Sequence, residues 1–138
     1  MLAVAGQTEH PVPVSAIPVN YANHLPGRKP PKTRLMDKIA GLRDILALDP
    51  NNSFARYGVA MALAGSGETD EALKEFDTLL ANDPGYTAGY FMAAQTLAAA
   101  GRRPQAIERL KAGIACASRT GNQHAVSEMQ AMLDELDR

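Results

Sequence analysis

At 138 residues the chain can hold one ordinary domain, or one domain with a tail. Apolar residues make up 46% and charged residues 21%, and 14 bases against 15 acids leave a net charge of −1, which argues against a protein that grips nucleic acid by bulk electrostatics. The single cysteine, Cys116, excludes an intrachain disulfide framework and a multi-cysteine zinc site, and no apolar run approaches the roughly 20 residues needed to span a bilayer.

The whole-chain charge hides an asymmetry. Residues 1–34 carry one acid, Glu9, against Arg28, Lys29, Lys32 and Arg34, a net of +3; residues 35–138 carry 14 acids and 10 bases, a net of −4. Six of the nine prolines also fall in the first 34 residues, where each removes a backbone donor and turns its neighbour away from helix. Residues 1–34 therefore read as a disordered, proline-rich basic arm. They make a poor signal peptide, because Met1–Gly6 has no basic side chain and prolines interrupt the chain from Pro11 onward. A second reading places the true start at Met36, where the folding pattern begins abruptly.

Six helices are expected from residue 35 to the end. The first, 35–48, carries Ile39, Leu42, Ile45 and Leu46 to bury. The second, 53–66, places Val59, Ala60 and Leu63 on one face, with Asn52 or Ser53 as its cap. The third, 70–82, carries Ala72, Leu73, Phe76, Leu79 and Leu80; Thr69 is its expected cap, and Asp70 and Glu71 fill its first turn. The fourth, 87–100, shows Tyr90, Ala93, Ala94 and Leu97. The fifth, 104–119, opens on Pro104, where a missing N–H costs nothing. Ser118 stands where a proline would have ended it, so it runs on toward Thr120 until Gly121. The sixth, 122–137, is capped by Asn122 and closes the array with a stripe of Ala125, Val126, Met129, Met132, Leu133 and Leu136. Almost no segment has the alternation of a strand. The fold class is all-α.

These helices repeat. An offset of 34 residues lays Asp49-Pro50 on Asp83-Pro84, Ala60 on Ala94, Leu63 on Leu97, Gly67 on Gly101, Ala72 on Ala106 and Phe76 on Leu110. The domain is thus a half repeat (35–48), two repeats (53–84 and 87–119) and a capping helix (122–137). Gly67 and Gly101 break the helices inside each unit, and Pro50 and Pro84 break them between units. Ala60, Ala72, Ala94 and Ala106 stand where leucine would be the default filler, so they let helix backbones approach closely within an antiparallel pair.

The pattern Arg56-x-x-Val59-Ala60-x-x-Leu63, then Ala72-x-x-x-Phe76 and Pro84, resembles the tetratricopeptide repeat, as does its second copy, Tyr90-x-x-Ala93-Ala94-x-x-Leu97 with Ala106-x-x-x-Leu110. The resemblance covers about three quarters of the chain. It departs at Arg56, where that family has a large apolar residue. It implies an α-solenoid of stacked hairpins whose first helices line a concave groove for a partner peptide. Carried onto this sequence, Phe54, Tyr57, Met61, Phe91 and Gln95 would line that groove, since Phe54, Tyr57 and Met61 fall roughly 140° around their helix from its core stripe. Coverage by neighbouring helices is the competing account of the same residues. Some members of the family grip a terminal carboxylate with Lys, Arg and Asn; the candidates here offer no Lys or Arg, so apolar or mixed contacts are expected.

Catalytic signals are sparse. His10, His24 and His124 have no metal spacing with acids or with Cys116, and no nucleophile–base set or phosphate loop is suggested. Ala64-Gly65-Ser66-Gly67 reads as a turn, Asp134, Glu135 and Asp137 as a solvated helix end, Arg102-Arg103 as solvated bases and Cys116 as a buried thiol. The expectation is a cytoplasmic, non-catalytic module that binds protein or peptide, with no cofactor, metal, nucleic acid or membrane. Self-association through stacked array ends is the first competing class; a regulatory subunit of an enzyme is the second.

Overall fold

The computed structural model describes residues 31–138. Six helices follow in order: α1 (Pro31–Leu48), α2 (Ser53–Gly65), α3 (Thr69–Asn82), α4 (Thr87–Ala99), α5 (Arg103–Arg119) and α6 (Gln123–Leu136). The described residues contain no strand. From α2 onward each helix end lies within one residue of its expected position. The start of α1 is different. The arm expected over 1–34 lies outside the described residues for its first thirty positions, but 31–34 are helical. The reason is local: Pro31 is the first residue of α1, where a proline ring is already set for the helix and no donor is missed.

Helices α2 with α3 and α4 with α5 form hairpins, α3 packs on α4, and α6 packs on α5 and touches α4. Each of the three tight turns is built the same way. Gly67, Gly101 and Gly121 have φ of 86°, 78° and 73°, the left-handed region that a side chain resists. The amide after each glycine donates back to a carbonyl five residues earlier: Glu68 to Leu63, Arg102 to Leu97 and Asn122 to Ala117, all at 2.9 Å. This closes the helix end by satisfying its orphan carbonyls.

The starts are more varied. Asn52 Oδ1 accepts from the Ala55 amide at 2.9 Å, and Asn122 Oδ1 from the Ala125 amide at 3.1 Å, so both asparagines cap as expected. Thr69 does not. It is already the first residue of α3, the preceding Glu68 supplies no side-chain cap, and Asp70 and Glu71 stabilise that end through the helix dipole.

Two apolar clusters make the core. One joins Val59, Ala60, Leu63, Ala72, Phe76, Leu79 and Ala93, with Ile39, Leu42 and Leu46 of α1 laid against it. The other joins Leu80, Tyr90, Ala94, Leu110, Cys116, Ala117, Met129 and Leu133. Ala60, Ala72, Ala94 and Ala106 are all fully buried, as their place in the stripe requires. Gly113 is tighter still: a Cβ there would lie 2.6 Å from both Tyr90 Cβ and Met129 Sδ. The turn between the two hairpins is held by Tyr90, whose hydroxyl donates to the Pro84 carbonyl at 2.7 Å. Cys116, buried as expected, lies 3.5 Å from the same carbonyl.

Candidate functional site

The first helices of the hairpins, α2 and α4, lie side by side, and α6 continues the row beyond α4. Helix α4, Thr-Ala-Gly-Tyr-Phe-Met-Ala-Ala-Gln-Thr-Leu-Ala-Ala, has no charged residue anywhere on it. A helix without a charged face is one that neighbours or a partner cover on several sides. A furrow runs along each of its flanks. The furrow against α2 has a volume of about 290 Å³ and is lined by Met61, Ala64 and Gly65 on one side and Met92, Gln95, Thr96 and Ala99 on the other, with Thr69 at its end. No charged side chain lines it. The furrow against α6, of about 200 Å³, is lined by Thr87, Ala88, Phe91, Asn122, His124, Ala125, Glu128 and Met129. Its charge is concentrated at Glu128, whose Oε1 lies 3.1 Å from His124 Nε2.

The five residues singled out in the sequence take different places. Met61 and Gln95 line the α2–α4 furrow from its two sides. Phe91 lines the α4–α6 furrow, half-buried against the second core cluster. Phe54 lines neither and is 76% exposed, the largest apolar exposure on α2. Tyr57 also lines neither. Its ring is held edge-on to Phe76 at 6.4 Å and tilted over Tyr86 at 5.2 Å. Burial, with a smaller contribution from Tyr86, pushes the Tyr57 phenol above its ordinary pKa; burial and then Asp83 do the same for Tyr86.

Met92, His124 and Glu128 were not among the expected residues. The signal for Met92 was present in the uncharged sequence of α4. The signal for Glu128 was the placement of α6 against α4, which depends on where the turn at Gly121 sends the chain.

A larger cavity of about 370 Å³ lies on the opposite, α3–α5 side, lined by residues that include Asp77, Arg102, Glu108 and Arg109. Its two bases are already matched: Arg102 Nη2 meets Asp70 Oδ1 at 2.8 Å, and Arg109 meets Asp77. Among the described residues no group of three or more His, Cys, Asp or Glu is placed to hold a metal ion, and no helix is long and apolar enough to cross a membrane.

Comparison with known proteins adds four findings. The sequence profile of the tetratricopeptide repeat matches residues 63–133. The TPR repeat-containing protein PA0015 of Pseudomonas aeruginosa is 30% identical over 100 residues, which is 72% of this chain and 95% of that protein. Among solved structures, protein BPP2914 of Bordetella parapertussis superposes with a TM-score of 0.64 at 29% identity, covering 72% of this chain and 87% of that one. The TPR2B-domain:pHsp70 complex of yeast Sti1 superposes with a TM-score of 0.71 at 18% identity, covering 77% and 85%, a likeness of fold.

Proposed function

The chain belongs to the tetratricopeptide repeat family, and from that footing we propose that it is a non-catalytic module that binds a protein or peptide along the face made by α2, α4 and α6. The observation that carries this reading is the charge-free α4 with a furrow on each flank, one bordered by Met61, Met92 and Gln95 and the other by Phe91. Structural need alone would let the solvent side of α4 carry charge. Phe54, exposed at the start of α2 two turns before Met61, extends the same face. The paired helices hold it rigid before a partner arrives, which lowers the ordering cost of binding. The TPR2B complex of Sti1 supports the reading, because that protein is solved with pHsp70 on a fold of this shape.

The test is capture of partners from the native lysate by the wild-type chain and by Met61→Glu and Phe91→Glu, with far-UV circular dichroism to verify that each variant is folded. Loss of the same partner from both folded variants is expected. Retention of every partner by both would overturn the assignment.

A second reading has its own observation. Among the described residues the large apolar side chains that stand exposed are Met36, Ile45, Leu48 and Phe54, all on α1 or at the start of α2. That concentration at one end of the array supports self-association there. Sedimentation across a range of concentrations separates the two, since a monomer throughout removes the second.

A further inference from the structure

We propose that the segment received on this face carries a basic side chain set among apolar ones, with the base held by Glu128; this rests on the binding reading above. No Lys or Arg lines either furrow, and the one basic side chain there, His124, is turned to Glu128. Glu128 is the furrows' carboxylate. Its side chain is 46% exposed, Oε1 is turned to His124, and among the described residues no donor takes Oε2. An exposed carboxylate with an open oxygen at the edge of an apolar slot favours a Lys or Arg that brings its own methylene stem into the slot. The described helices add to this: residues 31–138 carry 14 acids and 12 bases, a net charge of −2, which favours the approach of a basic segment.

The two furrows also set the spacing. The neutral furrow is formed by the second halves of α2 and α4, and the furrow with Glu128 by the first halves of α4 and α6. A segment that occupies both crosses α4 obliquely between Gln95 and Phe91, about one helical turn apart. Neighbouring helix axes lie about 8–10 Å apart. An extended chain rises about 3.3 Å per residue, so the apolar anchor between Met61 and Met92 and the base at Glu128 fall roughly three to four residues apart.

The test selects random dodecapeptides displayed on phage against the intact chain. Selected peptides should pair Met, Leu, Ile or Phe with an Arg or Lys three or four residues away. Replacing that base by Ala in a synthetic copy should weaken binding roughly three- to tenfold, as should Glu128→Lys in the protein, and the effect should shrink at high salt. Asp134→Lys, the same charge change on an exposed residue of α6 outside the furrows, should weaken binding far less than Glu128→Lys. Peptides without a base that bind wild type and Glu128→Lys alike, yet are lost on Met61→Glu, would overturn the charge proposal and leave the binding face standing. Peptides indifferent to Met61→Glu and Phe91→Glu, or no selected peptide at all, would remove both.

Discussion

Arg56 and Glu75 meet at 2.7 Å across the α2–α3 hairpin, with only 17% and 15% of their side chains exposed. Arg56 also donates to the Pro50 carbonyl at 3.1 Å, and Arg43 of α1 reaches the same carboxylate at 3.5 Å. A position that holds a large apolar residue elsewhere in the family here ties α1, α2 and α3 together through one acid.

Removing that acid should therefore hurt more than a surface charge would. Glu75→Ala strands Arg56 in a half-buried place and should cost about 1–3 kcal/mol, read by urea denaturation. Replacing both partners by leucine should recover most of the loss, because a pair swapped for apolar packing is often neutral.

Two glycines should respond with opposite signs. Gly101 has φ 78° with open space around its Cα, so Gly101→Ala carries only the backbone penalty and should cost about 1–2 kcal/mol. Gly41 lies inside α1, also in open space but with ordinary helical geometry, so Gly41→Ala should stabilise by about 0.5–1 kcal/mol. Thermal midpoints of the two variants on either side of wild type are the expected result.

Gly113 tests the closest helix contact. Alanine is the better helix former by about 0.8–1 kcal/mol. Its methyl would nevertheless meet Tyr90 Cβ and Met129 Sδ at 2.6 Å. Overpacking of this kind costs about 1–3 kcal/mol, so Gly113→Ala should lower stability in a denaturation curve despite its propensity.

Alkaline pH should weaken the fold through its phenols. Burial is the first cause that raises Tyr57, Tyr86 and Tyr90 above their ordinary value; Tyr86, Asp83 and Cys116 respectively add to it. The hydroxyl of Tyr90 must also keep its proton to hold Pro84. In the unfolded chain these groups ionise at about pH 10, so above it the unfolded state binds fewer protons than the folded one. Stability is then full below about pH 10 and is lost as pH rises toward the folded values. Phenolate absorbance should titrate later in the native chain than in urea.

The repeat was legible because its turns and its small residues are local. Gly67, Gly101, Pro104 and Asn122 each act within a few positions of themselves, and Ala72 or Ala106 states how near the next helix must come. Thr69 misled because both its residue type and its place suit a cap; the chain instead enters the helix one residue earlier, at Glu68. Pro31, which reads as a breaker, stands as the first residue of α1. The face of α2, α4 and α6 was only partly legible. A helical wheel names Met61 and Gln95 without saying that they share a furrow. It also assigns Tyr57 to a surface, while the fold leans its ring onto Phe76 and Tyr86.

The two ends of the array are unequal. Helix α6 anchors itself with fully buried Met129 and with Leu133 and turns Gln130 and Asp134 outward, whereas no described side chain of α1 is wholly enclosed. In a structure held by contacts between successive helices, such an imbalance gives unravelling a direction. Amide deuteration should advance from α1 inward and reach α4 and α5 last, so the molecule loses its N-terminal lip long before it loses its middle.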